Sequence, residues 1–342
     1  MLCQALLPLI AAGALTAGAP APQAHEAPPP LRIALVRVDD HAWWFGGFFN
    51  AYDEARLERN HPRSARRNRL VRDVELPLPG ARIVKVWDSD ASRAREFAAT
   101  FRDVEECASL EECAAGIDGA LLVDARGDGS DHLALARPFL ERGIPTFIDK
   151  PLAENARSGR QIVELARRHG ALVYSASTLP HFLTRRHTAR LREAGRLTSL
   201  IVSGPLTVGS GAIHQVITVL ALLGSGPASV QNLGDGARDI LHIRYADGRL
   251  GVAHASDELR RGPEPQYHVL LLGEGGIVNS GPIEPMDFQH GADVFLRTFV
   301  EMAQTRKASV SDEQLVEPIR VLEAGRLSKE RGGGVVPLAE LP

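Results

Sequence analysis

The chain has 342 residues, which suggests about two domains of roughly 150 residues each. Hydrophobic residues make up 44% and charged residues 24%, a balance that excludes a fibrous or wholly disordered chain and permits a buried core without staples. A net charge of −3 gives no global field toward nucleic acid or an anionic membrane.

Cys3, Cys107 and Cys113 lie in no CxxC or Cys/His spacing, so no zinc site is predicted. Cys107 and Cys113 read as ordinary thiols, or as a bridge if the protein is exported. Leu6 to Ala19 is apolar and is followed by Ala/Pro-rich sequence to Pro30. The run is too short to span a membrane and resembles a signal-peptide core. Export to the periplasm is therefore favoured over a cytoplasmic location. No Lys or Arg precedes the run and prolines crowd the cleavage points, so a disordered leader or a misplaced start is the alternative. Residues 1–30 are set apart from the fold.

Leu31 to Val38 reads as a buried first strand. The aromatic segment His41 to Phe49 leads into helical sequence through Asp53-Glu54-Ala55, and residues 60–79 read as a polar, proline-punctuated insertion. Arginines at 56, 59, 63, 66, 67, 69 and 72 have no interleaved aromatics. They predict a solvated helix or loop, with an anion or partner site as the alternative. Strands follow at Ala81 to Trp87, Gly119 to Val123, Thr146 to Ile148 and Ala171 to Ser175. Helices are expected at Ala91 to Thr100, Leu110 to Ala115, His132 to Arg142 and Asn155 to Gly170.

This alternation predicts βαβ units and a parallel sheet, with ligands beyond the carboxyl ends of its strands. The second half changes character. Strands at Ser199 to Ser203, Ser229 to Leu233, Ile240 to Tyr245, Leu250 to Ala255, Tyr267 to Leu272 and Gly276 to Asn279 are joined by short turns. Helices are expected at Ile213 to Leu223, Asp293 to Thr305 and Asp312 to Glu330. The expected fold is α/β: a Rossmann-type domain over 31–151, then an α+β domain over 152–342 with an open, mostly antiparallel sheet.

Asp88 ends the second strand, where dinucleotide folds place an acid on ribose hydroxyls. It favours NAD over NADP, a preference that Arg93 weakens, and a helix-capping role is the alternative. A phosphate-binding turn needs glycines so that backbone N–H groups can approach the diphosphate. Arg37 to Ala42 (RVDDHA) contains none, although Arg37 could offset some charge. Asp149-Lys150-Pro151 ends a strand on the rim that also carries Asp124. A lysine there can bind a substrate hydroxyl and move its proton. His214 lies near the start of the apolar helix Ile213 to Leu223. The helix dipole there favours the neutral imidazole, and a satisfied core histidine is the alternative.

Ile-Asp-Lys-Pro at 148–151 resembles the E-K-P motif of the Gfo/Idh/MocA oxidoreductases, with Asp149 in place of Glu. Gly211 to Gly224 is similar to that family's helix bearing an active-site histidine, and Asp131-His132 through Gly143-Ile144-Pro145-Thr146 to the usual approach to the lysine. The resemblance runs from about residue 31 to 330. It implies NAD or NADP between two domains, contacted by Arg37, Asp88, Asp124, Asp149 and Lys150. It also implies Lys150 and His214 as catalytic groups acting on a sugar- or polyol-like substrate, no metal, and oligomers formed through the second sheet. The chain departs from the family at the glycine turn and at Ser210 and Ile217, where acids usually flank the histidine. The implied activity is NAD(P)-dependent oxidation or reduction of a C–OH or C=O group. The alternatives are a non-catalytic ligand-binding or regulatory relative, and a relative that cleaves glycosides through transient oxidation.

Overall fold

The computed structural model describes residues 29–70, 74–206, 211–236, 238–260, 266–281 and 283–341. The leader up to Pro28, Arg72, Ser210 and most of the 260–266 loop lie outside the described residues.

The first half forms a six-stranded, wholly parallel sheet. Its elements in chain order are β1 (Leu31–Val36), α1 (Asp40–Phe49), α2 (Glu54–Asn60), α3 (Pro62–Arg69), β2 (Ala81–Trp87), α4 (Ala91–Thr100), β3 (Glu105–Glu106), α5 (Leu110–Cys113), β4 (Gly119–Leu122), α6 (His132–Leu140), β5 (Thr146–Ile148), α7 (Ala156–Arg168) and β6 (Val173–Tyr174). The spatial order β3-β2-β1-β4-β5-β6 reverses between β1 and β4. A crevice at that reversal is where doubly wound sheets bind ligands. Ile33 to Val36 are fully buried, as expected of a central parallel strand covered on both faces.

The second half begins with α8 (Thr178–Arg186) and α9 (Thr188–Ala194), and continues through β7 (Leu197–Gly204), α10 (Ile213–Leu223), β8 (Pro227–Asn232), β9 (Arg238–Tyr245), β10 (Leu250–Ser256), β11 (His268–Gly273), β12 (Gly276–Asn279), α11 (Pro285–Thr305), α12 (Asp312–Glu330) and β13 (Val336–Pro337). Its seven-stranded sheet runs β12-β11-β7-β10-β9-β8-β13, and all of its neighbours are antiparallel except β7 with β10. The α/β class with an open, mostly antiparallel second sheet is therefore as the alternation of elements predicts. Strand β6 pairs with β5, so the parallel sheet continues past Pro151.

Three local features differ from the pattern. The basic stretch is not wholly solvated: α2 and α3 fold back on α1, and the Arg67 guanidinium lies 4.5 Å from the Trp44 ring with the residue only 8% exposed. Helix α11 starts eight residues before the expected Asp293. Asp287 accepts from Glu284 N at 2.8 Å, which starts the helix early. Gly291 hides its continuity in the sequence, yet a side chain there would come within 2.4 Å of the Thr178 carbonyl oxygen. Finally, α8 and α9 have no strong periodic signal of their own and are fixed by packing, α8 chiefly against α11.

Among the described residues, no helix is long and apolar enough to cross a membrane.

Candidate active site

The turn between β1 and α1 sets the upper rim of the site. Positions 37, 39 and 42 have the spacing of a G-x-G-x-x-G turn, and here they are Arg37, Asp39 and Ala42. Arg37 adopts φ 69°, the left-handed conformation a first glycine would take. It is held there by an ion pair to Asp124 at 2.8 Å and by a second one to Asp131. Asp39 caps α1, accepting from His41 N at 2.8 Å, while its other oxygen accepts from Ala125 N across the crevice. Arg126 closes the same gap from the β4 side, pairing with Asp40 at 2.7 Å. Burial pushes the Asp39 carboxyl above its ordinary value; His41 opposes that rise and Asp149 adds to it.

The β4–α6 connection lies below. The Asp124 carboxylate receives His132 Nε2 at 3.2 Å, Gly127 N at 2.8 Å and Arg37. Burial alone would raise its pKa, but these partners outweigh burial and hold it at about 2. Gly127 is required at this point because a Cβ would lie 1.7 Å from that carboxylate. Asp124, Asp131 and His132 approach one another as metal ligands would, but the Arg37 guanidinium pairs with both carboxylates.

Strand β5 delivers Asp149 and Lys150, each 2% exposed. Asp149 Oδ2 faces His41 Nδ1 at 2.5 Å and accepts from Asp124 N at 3.0 Å. Burial would raise this carboxyl, yet His41, the Lys150 ammonium and the N–H donors hold it below its ordinary value. Lys150 Nζ donates to Ala125 O at 3.0 Å. Opposite it, His214 in the first turn of α10 shares a 2.9 Å hydrogen bond between its Nδ1 and Ser177 Oγ. Its ring lies edge-on to Tyr267 at 5.8 Å. Burial, followed by the charge of Lys150, holds His214 well below 6.5. The imidazole is therefore neutral near neutral pH.

These groups line one pocket of about 680 Å³ between the two sheets. Its walls include His41, Asp149, Lys150, Ser177, His214 and Tyr267, and Arg63 and Arg67 from α3. Four cationic side chains (Arg63, Arg67, Arg126, Lys150) stand against two anionic ones (Asp40, Asp149) on that lining.

Of the residues singled out in the sequence, Lys150, His214 and Asp149 meet in the pocket. Arg37 and Asp124 lie beneath it in the ion network. Asp88 is elsewhere: its oxygens accept from Val38 N at 2.6 Å and Asp90 N at 2.8 Å, so its carboxylate braces the β1–α1 turn. The sequence assigns no role to His41, Asp39 or Ser177, and the arginines of α3 enter only through the alternative to a solvated face. Only the histidine after two aspartates at the missing glycine turn offered a signal.

Nearby His181 sets a pH window. Burial pushes it down to about 4 from 6.5. The unfolded chain therefore binds the extra proton between those values, and stability falls as pH drops through them. Urea midpoints from pH 7 to pH 4.5 should decline, and His181→Phe should flatten the decline; an unchanged slope would assign it to other groups.

Residues 63–177, about a third of the chain, match the family model described as "Oxidoreductase family, NAD-binding Rossmann fold" (GFO_IDH_MocA). The match begins beyond the β1–α1 turn. A search of curated proteins finds no match. Three solved structures share the fold over nearly the full length. GenD2 from gentamicin A biosynthesis, in complex with NAD, is 18% identical with TM-score 0.68, over 95% of this chain and 99% of that one. A myo-inositol dehydrogenase from Corynebacterium glutamicum is 18% identical with TM-score 0.69, over 90% and 99%. A scyllo-inositol dehydrogenase from Lactobacillus casei, with NAD(H) and scyllo-inositol, is 11% identical with TM-score 0.68, over 91% and 99%.

The residues of the turn do not fit the dinucleotide that this fold implies. The middle position of the glycine turn must lack a side chain so that a diphosphate can rest against the backbone, and Asp39 puts a carboxylate there. The helix N–H that would bind phosphate already serves that carboxylate.

Proposed function

We propose that this chain, of the Gfo/Idh/MocA oxidoreductase type in its family match and its fold, is an enzyme acting at a C–OH or C=O carbon of a small polar substrate. The observation that carries the proposal is the convergence of Lys150, His214 and the His41–Asp149 pair on one pocket. Lys150, anchored on Ala125 O, holds the substrate oxygen and stabilises negative charge developing on it. His214, neutral and oriented by Ser177, accepts the hydroxyl proton.

A second reading, hydride transfer to or from NAD(P) with NAD preferred, is favoured by the family match and by the NAD-bearing neighbours. Its requirement is a diphosphate cradle, which the β1–α1 turn does not offer.

A panel of inositols, aldonic acids and sugar phosphates, incubated in D2O with and without NAD+, tests the proposal by proton NMR and absorbance at the reduced-nicotinamide band. Turnover or carbon-bound deuterium should appear for at least one member. It should fall by at least about a hundredfold in Lys150→Ala, the scale of one oxyanion-stabilising donor. Equal rates in wild type and Lys150→Ala would remove the lysine from the mechanism.

A further inference from the structure

We propose that the β1–α1 turn of this chain has exchanged its cofactor for protein groups. The Asp39 carboxylate occupies the diphosphate position, and His41 acts with His214 as an acid–base pair for a redox-neutral reaction on a hydroxycarbonyl substrate. The inference rests on the reading of the pocket given above, and adds His41 to it as a second proton carrier.

Several observations converge on the turn. A side chain stands at each of the three glycine positions. Asp39 ties the turn to Ala125 on the far side of the crevice, and Arg126 with Asp40 makes a second tie. A dinucleotide crossing between β1 and β4 would have to break both ties and set its diphosphate against two aspartates. The turn instead delivers His41 into the pocket. His41 and His214 each occupy the second position of a helix, α1 and α10, and both line the cavity that holds Lys150. Asp149 orients His41 and Ser177 orients His214, so each ring has a fixed partner, as a general acid or base requires.

The step balances without a co-reactant. One histidine takes the proton from the carbon beside the carbonyl, and that C–H electron pair forms the new C=C bond as the carbonyl π pair moves to oxygen. Lys150 holds the resulting oxyanion. The second histidine returns a proton to the opposite face of the same carbon, the oxyanion's electron pair re-forms the carbonyl, and the substrate is epimerised. Where that carbon bears a hydroxyl, its proton passes to the oxyanion and the return is to the former carbonyl carbon, so the substrate is isomerised; neither course involves net oxidation.

The test is a fluorescence titration of the full chain with NADH and NADPH, read through energy transfer from Trp43 and Trp44. Wild type should show no saturable binding below about millimolar cofactor. Asp39→Gly should bind NADH at least about tenfold more tightly, as should Asp39→Ser, which keeps a helix-capping hydroxyl if the glycine variant folds poorly. Saturable wild-type binding in the micromolar range overturns the proposal, and so does the absence of any gain in both variants. In the D2O assay, exchange should persist in dialysed protein without dinucleotide and fall in His41→Ala. Activity that appears only on adding NAD+ also overturns it, while leaving the roles of Lys150 and His214 standing.

Discussion

Phe147→Ala lowers the unfolding free energy by about 3–5 kcal/mol, the range for emptying a large aromatic site in a close-packed core. Phe147 is fully buried in the middle of β5. It stacks on Phe295 of α11 at 5.3 Å and meets Phe45, Tyr174 and Phe299 edge-on at 6.1 to 6.4 Å. One ring thus joins the parallel sheet to α1 and to the long helix of the second half. The strand cannot collapse into the space without moving Asp149 and Lys150, which follow directly on Ile148, so the cavity should persist. Urea denaturation followed by tryptophan fluorescence gives the number. A loss below about 1 kcal/mol would mean that the aromatic cluster relaxes freely and does not hold the site in place.

The second large effect belongs to Asp149. Asp149→Ala leaves His41 without its carboxylate partner and Asp124 N without its acceptor. Leaving each of these donors without its acceptor costs about 1–3 kcal/mol. Asp149→Asn keeps the shape and should cost less. The pH signature follows from the lowered pKa of this carboxyl, which burial opposes and His41 with Lys150 overcomes. Its stabilisation is complete above the ordinary carboxylate value of 3.8 and disappears as pH falls through the lower folded value. That window lies below the one set by His181, so the two contributions separate in a pH series. Asp149→Ala should flatten the acid limb below pH 3.8 and leave the limb between 6.5 and 4 in place; loss of both limbs would mean that the substitution disrupts the fold broadly.

Much of the architecture was legible because period and length suffice for it. Apolar runs such as Ile33 to Val36 mark buried parallel strands, and Asp247-Gly248 marks the hairpin between β9 and β10. The order of Lys150 and His214 carried the resemblance, and both residues line the pocket. What was illegible depends on contacts far apart in the chain. His41 gains its meaning from a carboxylate 108 residues away, and no periodicity reports that. Asp88 braces the turn through a 2.6 Å bond from Val38 N, a partner 50 residues away that no periodicity reports. The arginines of α3 look like a solvated face because composition cannot tell which of them lie over Trp44 and Phe288.

The missing glycines were visible at once, but not what replaced them. A turn without glycine reads simply as a damaged cofactor site. In the fold, Arg37 takes the left-handed residue's place and Asp39 satisfies the helix end and the opposite loop. The family match starts at residue 63, beyond this turn, in a chain that shares its fold with two solved inositol dehydrogenases over nearly its whole length.

Crystals of the protein grown with millimolar NADH test this account most directly. The result it predicts is an unaltered turn, with Asp39 still on Ala125 N and His41 on Asp149, and no dinucleotide over residues 37–42. A dinucleotide lying across that turn, with Asp39 displaced and the Arg126–Asp40 pair opened, would contradict it and return the protein to nicotinamide chemistry.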